Sequence, residues 1–360
     1  MDSKSIIKSM SCYIEGCAKQ PSMQHQHLSG MGAIASLEEK LRNYYNKNYV
    51  VLFCNATTAL QSLCIALELY KTEIITAPIN WGGSIAPFLL HKNKLHFVSY
   101  DPDSLNLCKN DLLLSMTTKT KAVLSVDYNG TPVDSKSIKE FCQQNNLSYI
   151  SDCAQSLGAY IGDKPAGYWA DAIVLSFSPG KSLFAGEGGA VVTNEPMIYE
   201  KLLWISQHPS KQKTVLGLSN YNEYTPVNGR INPLSAILLS ETFDSSLDIL
   251  KEYQSKCFQM IRFLEKEKLI MPVSCIENPN NSTFFNLLIR MVESINIEQI
   301  NSFLKENKFP YIANYHTIKI IPFDPIFRKQ YRNQFLCSEK LLSQKKFSPL
   351  KSQVKLTPIF

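Results

Sequence analysis

The sequence predicts an α/β protein in which a large doubly wound, mostly parallel-sheet domain over residues 1–244 precedes a smaller C-terminal α+β domain over 245–360. Three observations predict it. Between residue 36 and about 205, short β-rich runs alternate with segments of helical spacing, as βαβ units do. Most of those runs are largely apolar, which suits strands covered on both faces. After about 245 the alternation stops, leaving one strand-like run, one helix, and mixed aromatic and basic segments.

In chain order, a strand is expected at 49–54, where Val50, Val51, Leu52 and Phe53 run together, and the next at 73–77 through Ile74 and Ile75. Further strands follow at 94–100, 122–126, 148–151, 172–177 and 189–193. Helical spacing fills the intervals 58–69, 84–91, 110–116, 135–145 and 196–207. A long helical stretch at 233–266 then leads to a strand at 284–291 and a helix at 296–305. No Gly/Ser-rich or Pro-rich linker marks the boundary.

A chain of 360 residues with 44% hydrophobic, 11% aromatic and 19% charged composition excludes disorder and small disulfide scaffolds. It is long enough to bury roughly three quarters of the surface its unfolded form exposes. The net charge is +6, yet residues 328–360 hold eight Lys/Arg against Glu339 alone. Without interleaved aromatic residues this reads as a solvated basic segment, so no nucleic-acid partner is expected. Ten cysteines without a C-x-x-C pair suit a reduced, cytoplasmic chain. With no apolar stretch approaching 18 residues and no secretory leader, no membrane partner is expected either. The six histidines, His25 and His27 among them, show no metal-ligand spacing, so no metal site is expected.

In open α/β sheets ligands bind beyond the carboxyl ends of the strands, so the segments that follow each strand matter most. After 49–54 come Asn55-Ala56-Thr57-Thr58-Ala59-Leu60, small hydroxylated residues opening a helix, where free N–H groups and the helix dipole suit a phosphate. Taken alone, the segment reads first as an N-cap. After 148–151 comes Asp152, a carboxylate at a buried strand end that requires a cationic or hydrogen-bonding partner. After 172–177 comes Lys181, between a strand and the turn Gly186-Glu187-Gly188-Gly189; alone, it reads as a surface lysine. Together they are the parts a pyridoxal phosphate (PLP) enzyme needs: a lysine for the Schiff base, a carboxylate for the pyridine nitrogen, and a helix start for the phosphate.

The chain resembles the DegT/StrS-type sugar aminotransferases of PLP fold type I. The resemblance runs in order through Ser36-Leu37-Glu38-Glu39, 55–60, Ile75-Thr76-Ala77-Pro78, 151–159, 176–181 and 186–193, and covers about residues 25–240. It implies that Lys181 carries the cofactor, that Asp152 pairs with the pyridinium, and that Gln155 lies on the ring-hydroxyl side. Thr57, Thr58 and Ser176 would hold the phosphate. Trp81 falls where the family often stacks an aromatic ring on PLP, with a core tryptophan as the alternative. Asn228-Gly229-Arg230 is similar to the Asn-x-Arg segment whose Asn reaches the partner's phosphate, which implies a homodimer with shared active sites.

The implied activity converts a keto-sugar, nucleotide-linked, to an amino-sugar with an amino acid such as glutamate as donor. Lys181 would yield to the donor amine and then move a proton, for which it must be neutral, and burial favours that state. A cyclitol or other non-nucleotide ketone is the alternative acceptor, because the chain departs from the family pattern where substrate would sit. It reads Gln207-His208-Pro209-Ser210 in place of Arg followed by His-Gly, and Asp127-Tyr128-Asn129-Gly130 where a His is frequent. Phe347-Ser348-Pro349-Leu350 stands near the family's final strand motif. His208 is expected as a solvated or core residue. A dehydrase would carry histidine in place of Lys181, and a nicotinamide oxidoreductase would carry G-x-G-x-x-G after the first strand, which is absent. A non-catalytic sensor on the same fold is disfavoured by the presence of Lys181 and Asp152.

Overall fold

In a computed structural model, which describes residues 3–20, 27–217, 226–318, 320–337 and 353–358, the β-rich runs form one eight-stranded sheet. Helices α1 (Ser3–Lys19) and α2 (Ala33–Tyr45) lead into β1 (Tyr49–Phe53), α3 (Ala56–Ala66), β2 (Glu73–Thr76), α4 (Gly82–Leu90) and β3 (Lys94–Phe97). After these come β4 (Thr120–Val126), α5 (Ser135–Gln144), β5 (Ser148–Asp152), and a short hairpin of β6 (Tyr160–Ile161) and β7 (Lys164–Pro165). Strands β8 (Ala172–Ser176) and β9 (Gly189–Thr193) precede α6 (Pro196–Ser206), α7 (Pro209–Leu216) and the 34-residue α8 (Pro233–Lys266). The chain continues through β10 (Leu287–Arg290), α9 (Ile297–Glu306), β11 (Tyr311–Tyr315), α10 (Pro325–Tyr331), β12 (Phe335–Cys337) and β13 (Gln353–Pro358). The large sheet runs β1-β9-β8-β5-β4-β2-β3-β12. Its strands from β8 to β12 are parallel, while β9 runs antiparallel to both β8 and β1.

Alternation along the strands divides the core into two layers. Val50 and Leu52 pack with Leu37, Leu41 and Phe243 on one face, whereas Val51 and Phe53 pack with Leu60, Leu63 and Leu203 on the other. Because helices cover both faces, apolar residues stand on both, and the sequence shows continuous runs. A third cluster joins Cys257, Met260 and Leu264 of α8 to β10, β11, β13 and α9, around a small sheet ordered β10-β13-β11. Helix α8 spans about 50 Å at 1.5 Å per residue. Its first half belongs to the first cluster and its last turns to the third, so position 245 lies inside one continuous helix.

The expectation of a helix at 110–116 is corrected: the segment forms two single 3₁₀ turns, Lys109–Asp111 and Leu113–Ser115. Of its three leucines only Leu112 is buried, and the Asp111 carboxylate is tied to Ser99 at the end of the preceding strand segment. Too little apolar surface is covered there to offset helix nucleation. The strand expected at 284–291 is shorter, because Phe284 takes a left-handed φ of 51° that a strand does not admit. Residues 320–337 return to the large unit: Ile321 donates its N–H to the Pro78 carbonyl at 2.8 Å, and β12 pairs with β3. His25, the Phe347–Leu350 stretch and four of the eight Lys/Arg of the basic segment lie outside the described residues.

Candidate active site

The strand-end segments converge on a cleft of about 690 Å³. The starts of α3 and α4 form one side and the segments after β4, β5 and β8 the floor, while Phe285, Asn286 and His316 face them from the second unit. Thr57, Thr58, Trp81, Asp152, Gln155, Ser176 and Lys181 all line it.

Asn55 is an N-cap: its side chain accepts the Thr58 N–H at 2.8 Å. That bond fixes the first turn of α3 and leaves the Thr57 and Thr58 side chains on the cleft wall, so the capping and binding readings coexist. Ser176 Oγ lies 3.2 Å from Ser178 Oγ, adding a second hydroxyl beside the start of α3. Close approach is enforced by Gly229, whose carbonyl accepts the Cys54 N–H at 2.7 Å and where a Cβ would stand 2.7 Å from Thr58 Cγ2. The adjacent Asn228 is exposed, in a left-handed conformation with φ 47°, and does not line this chain's cleft.

Asp152 is 3% exposed and forms no ion pair among the described residues. Burial pushes its carboxyl above the usual range, opposed by hydrogen bonds from the Ser84 hydroxyl and the Ala154 N–H and by the charge of Lys181. The amine of Lys181 is pushed down by burial and pulled back by Asp152. Gln155 is held by the Asn129 N–H, which donates to its Oε1 at 2.8 Å. Trp81 is 72% exposed at the start of α4, which excludes the core alternative. His208 caps α7, its Nδ1 accepting the Ser210 N–H at 3.1 Å, and does not line the cleft.

These residues fit PLP. A buried carboxylate without an ion-pair partner suits a pyridinium N–H, and the buried Nδ2 of Asn80, on the same wall, has no hydrogen-bond partner. Thr57, Thr58, Ser176 and Ser178 would hold the phosphate at the positive end of α3. Among the described residues no three His, Cys, Asp or Glu gather where a metal ion would bind.

A sequence model of the DegT/DnrJ/EryC1/StrS aminotransferase family matches residues 18–358. The chain belongs to that family. It is 33% identical over 179 residues to the Helicobacter pylori UDP-4-amino-4,6-dideoxy-N-acetyl-beta-L-altrosamine transaminase, covering 49% of this chain and 48% of the relative. The chain thus spans about half the length of that curated relative. Among solved structures, a DegT DnrJ EryC1 StrS aminotransferase from Brucella abortus superposes with a TM-score of 0.77 at 19% identity, over 99% of this chain and 92% of that one. A putative sugar aminotransferase from Streptococcus pneumoniae, in its PMP form, gives a TM-score of 0.71 at 19% identity, over 91% and 86%. The DegT/DnrJ/EryC1/StrS fold, fold type I, is therefore the one the resemblance implied.

Sequence reasoning missed several residues that line this family member's cleft. Ser178 lies within the 176–181 motif and Ser84 three residues after Trp81, so the signal was present. Phe285, Asn286 and His316 gave none, because only the tertiary fold brings the second unit to the strand ends.

Proposed function

We propose that this chain is a PLP-dependent aminotransferase that converts a keto-sugar, nucleotide-linked, to an amino-sugar with an amino acid donor such as glutamate. One observation carries the reading: Lys181 and Asp152, 29 positions apart in sequence, face a single cleft beside the hydroxyls at the start of α3. The altrosamine transaminase relative and the PMP form of the pneumococcal protein support it. PLP would supply an electron sink for the donor's α-carbon. Asp152 would keep a positive charge on the cofactor's pyridine nitrogen, and Gln155, held in place by the Asn129 N–H, would stand on the ring-hydroxyl side. Lys181, its amine biased toward neutrality by burial, accepts and returns a proton at Nζ. The hydroxyls and the α3 N-terminus would hold the phosphate, and the exposed Trp81 would cover the ring.

Asn228, turned outward from its own cleft, is read as a residue that enters the site of a second copy, so the working unit is a homodimer with shared sites. The cyclitol acceptor stays the alternative, since substrate would meet Asn286 and His316, outside the motifs. A division near 244/245 into cofactor-binding and substrate-covering units would pivot within α8. A cytoplasmic setting agrees with the described cysteines, none of which is in a disulfide, and with helices of which none described is long and apolar enough to cross a membrane.

The test is absorbance of the protein loaded with PLP, before and after an amino donor, followed by borohydride reduction and peptide mapping. A donor-dependent spectral change and a pyridoxyl group fixed on Lys181 are expected. A group fixed on another lysine, or none, overturns the reading.

A further inference from the structure

The centroid of the Phe285 ring stands 4.0 Å from Nζ of Lys181, and the ring also lies over the Gly180 turn that precedes the lysine. Phe285 belongs to the second unit, and a dense seam fixes its position. Its N–H donates to the Asn129 carbonyl at 3.1 Å, and the Thr283 N–H donates to the Gly130 carbonyl at 3.0 Å. The Thr283 hydroxyl donates to the Gln155 carbonyl at 2.5 Å, and the Asn286 amide donates to Oδ1 of Asn129 at 3.2 Å. The same Asn129 donates its N–H to Gln155, so one residue grips both a cofactor-side group and the segment carrying Phe285.

The backbone on both sides of the seam is in uncommon conformations. Asn129 has φ 58° and Phe284 φ 51°, and Phe284 buries its own ring in the third core cluster while the chain turns Phe285 into the cleft. Left-handed conformations at non-glycine residues persist where their surroundings over-determine them. Gly130, with φ 85°, leaves no room for a side chain: a Cβ would stand 1.8 Å from Thr283 Oγ1 and 2.8 Å from the Gln155 carbonyl.

We propose that Phe285 belongs to the lysine site, where its ring shields the Lys181 amine from water and aims it into the cleft, and that the Asn129–Gly130 turn is the element that positions it. The inference rests on Lys181 being the reactive lysine. Other ionisable groups lining the cleft with that amine are Asp152, Glu187, Tyr128 and His316, and of these the Asp152 charge favours the ammonium form. A ring face attracts a cation, yet it also withholds water, and burial outweighs the Asp152 charge at the Lys181 amine. Opening that side to solvent therefore moves the amine back toward its ordinary, more basic state.

The experiment uses the full chain without cofactor and reads the pH dependence of Lys181 acetylation by acetic anhydride, peptide by peptide in a mass spectrometer. Phe285→Ser should raise the midpoint by about one unit, a roughly tenfold loss of neutral amine at neutral pH. Phe285→Tyr should restore the original midpoint. Gly130→Ala, with Phe285 intact, should give the same upward shift by displacing Thr283 and its neighbours. Thermal melting identifies folded variants, and Phe285→Val replaces the serine variant if that one does not fold. An unchanged midpoint in a folded Phe285→Ser or Phe285→Val protein overturns the shielding role. An unchanged midpoint in folded Gly130→Ala overturns the role of the turn. Borohydride mapping of the cofactor-loaded wild type tests the underlying reading separately.

Discussion

Asp152 at the end of β5 and Lys181 in the turn after β8 each favour the charged form of the other, while burial pushes both toward neutrality. The site is thus balanced between an ion pair and two neutral groups. A cofactor nitrogen bearing a proton would take over the carboxylate and leave the amine to burial alone.

Asp152→Asn removes one side of that balance. The Lys181 midpoint should fall, because the influence that raises it is gone, and acetylation of the cofactor-free protein should become faster at neutral pH. Turnover should nonetheless drop by orders of magnitude, since a neutral amide cannot hold the pyridine nitrogen protonated. Near-wild-type turnover in this variant would reduce Asp152 to a strand-end carboxylate.

Thr57 isolates the phosphate side. Its hydroxyl faces the cleft, while the cap of α3 depends on Asn55, so Thr57→Val should leave the helix intact. Loss of one hydrogen bond to a charged group should weaken PLP binding by roughly 1 to 3 kcal/mol. Fluorescence titration with PLP measures this, and an unchanged dissociation constant would leave the segment with a capping role only.

Asp127 should leave a mark on stability. It is fully buried beside Ser156, whose hydroxyl donates at 2.7 Å, and burial pushes its carboxyl up to about 6. A carboxyl whose folded-state pKa lies above its unfolded one stabilises the fold when protonated, and that contribution disappears as pH rises from about 4 through 6. The span corresponds to about 3 kcal/mol as an order of magnitude. Asp127→Asn should flatten this part of the profile, read as the difference in urea midpoint between pH 4.5 and 7.5. A profile parallel to wild type would show that Asp127 is already ionised at the lower pH.

Asn228 tests the assembly by complementation. Lys181→Ala subunits and Asn228→Asp subunits should each be inactive, the second because its carboxylate would oppose a phosphate dianion. In a mixed dimer one site combines the intact lysine of one chain with the intact Asn228 of the other, so about half of that dimer's activity should return. With subunit exchange confirmed, a mixture that restores nothing would assign Asn228 to its own chain's site.

The readable parts of this molecule were those whose cause is local. Val50 to Phe53, Ile74-Ile75 and Ile173 to Leu175 announce buried strands because both of their faces meet helices, and Asp152 and Lys181 stand where such strands end. The opposite wall of the cleft has no local cause. Phe285 lies in an apolar run that reads as strand, and only the left-handed Phe284 and the grip of Asn129 turn it toward the lysine. The amphipathic α5, expected at 135–145 and found at Ser135–Gln144 with Ile138 and Cys142 buried, was legible from its spacing; the single 3₁₀ turns at 109–115 were not, since of their three leucines only Leu112 is covered.

The return of the chain to β3 has a consequence for how the molecule is made. Gln334, which leads into β12, donates to the carbonyls of Leu89 and Asn93, the latter 241 positions earlier. During synthesis the β3 edge therefore emerges long before the strand that will cover it. An uncovered parallel edge with Leu95 and Phe97 on it is a template for pairing with other chains, and closing so long a loop is slow. The flank along β3 stays open while the chain grows by the 241 positions that separate Asn93 from Gln334, and Phe285 and His316 of the second cleft wall emerge before the strand that seals it.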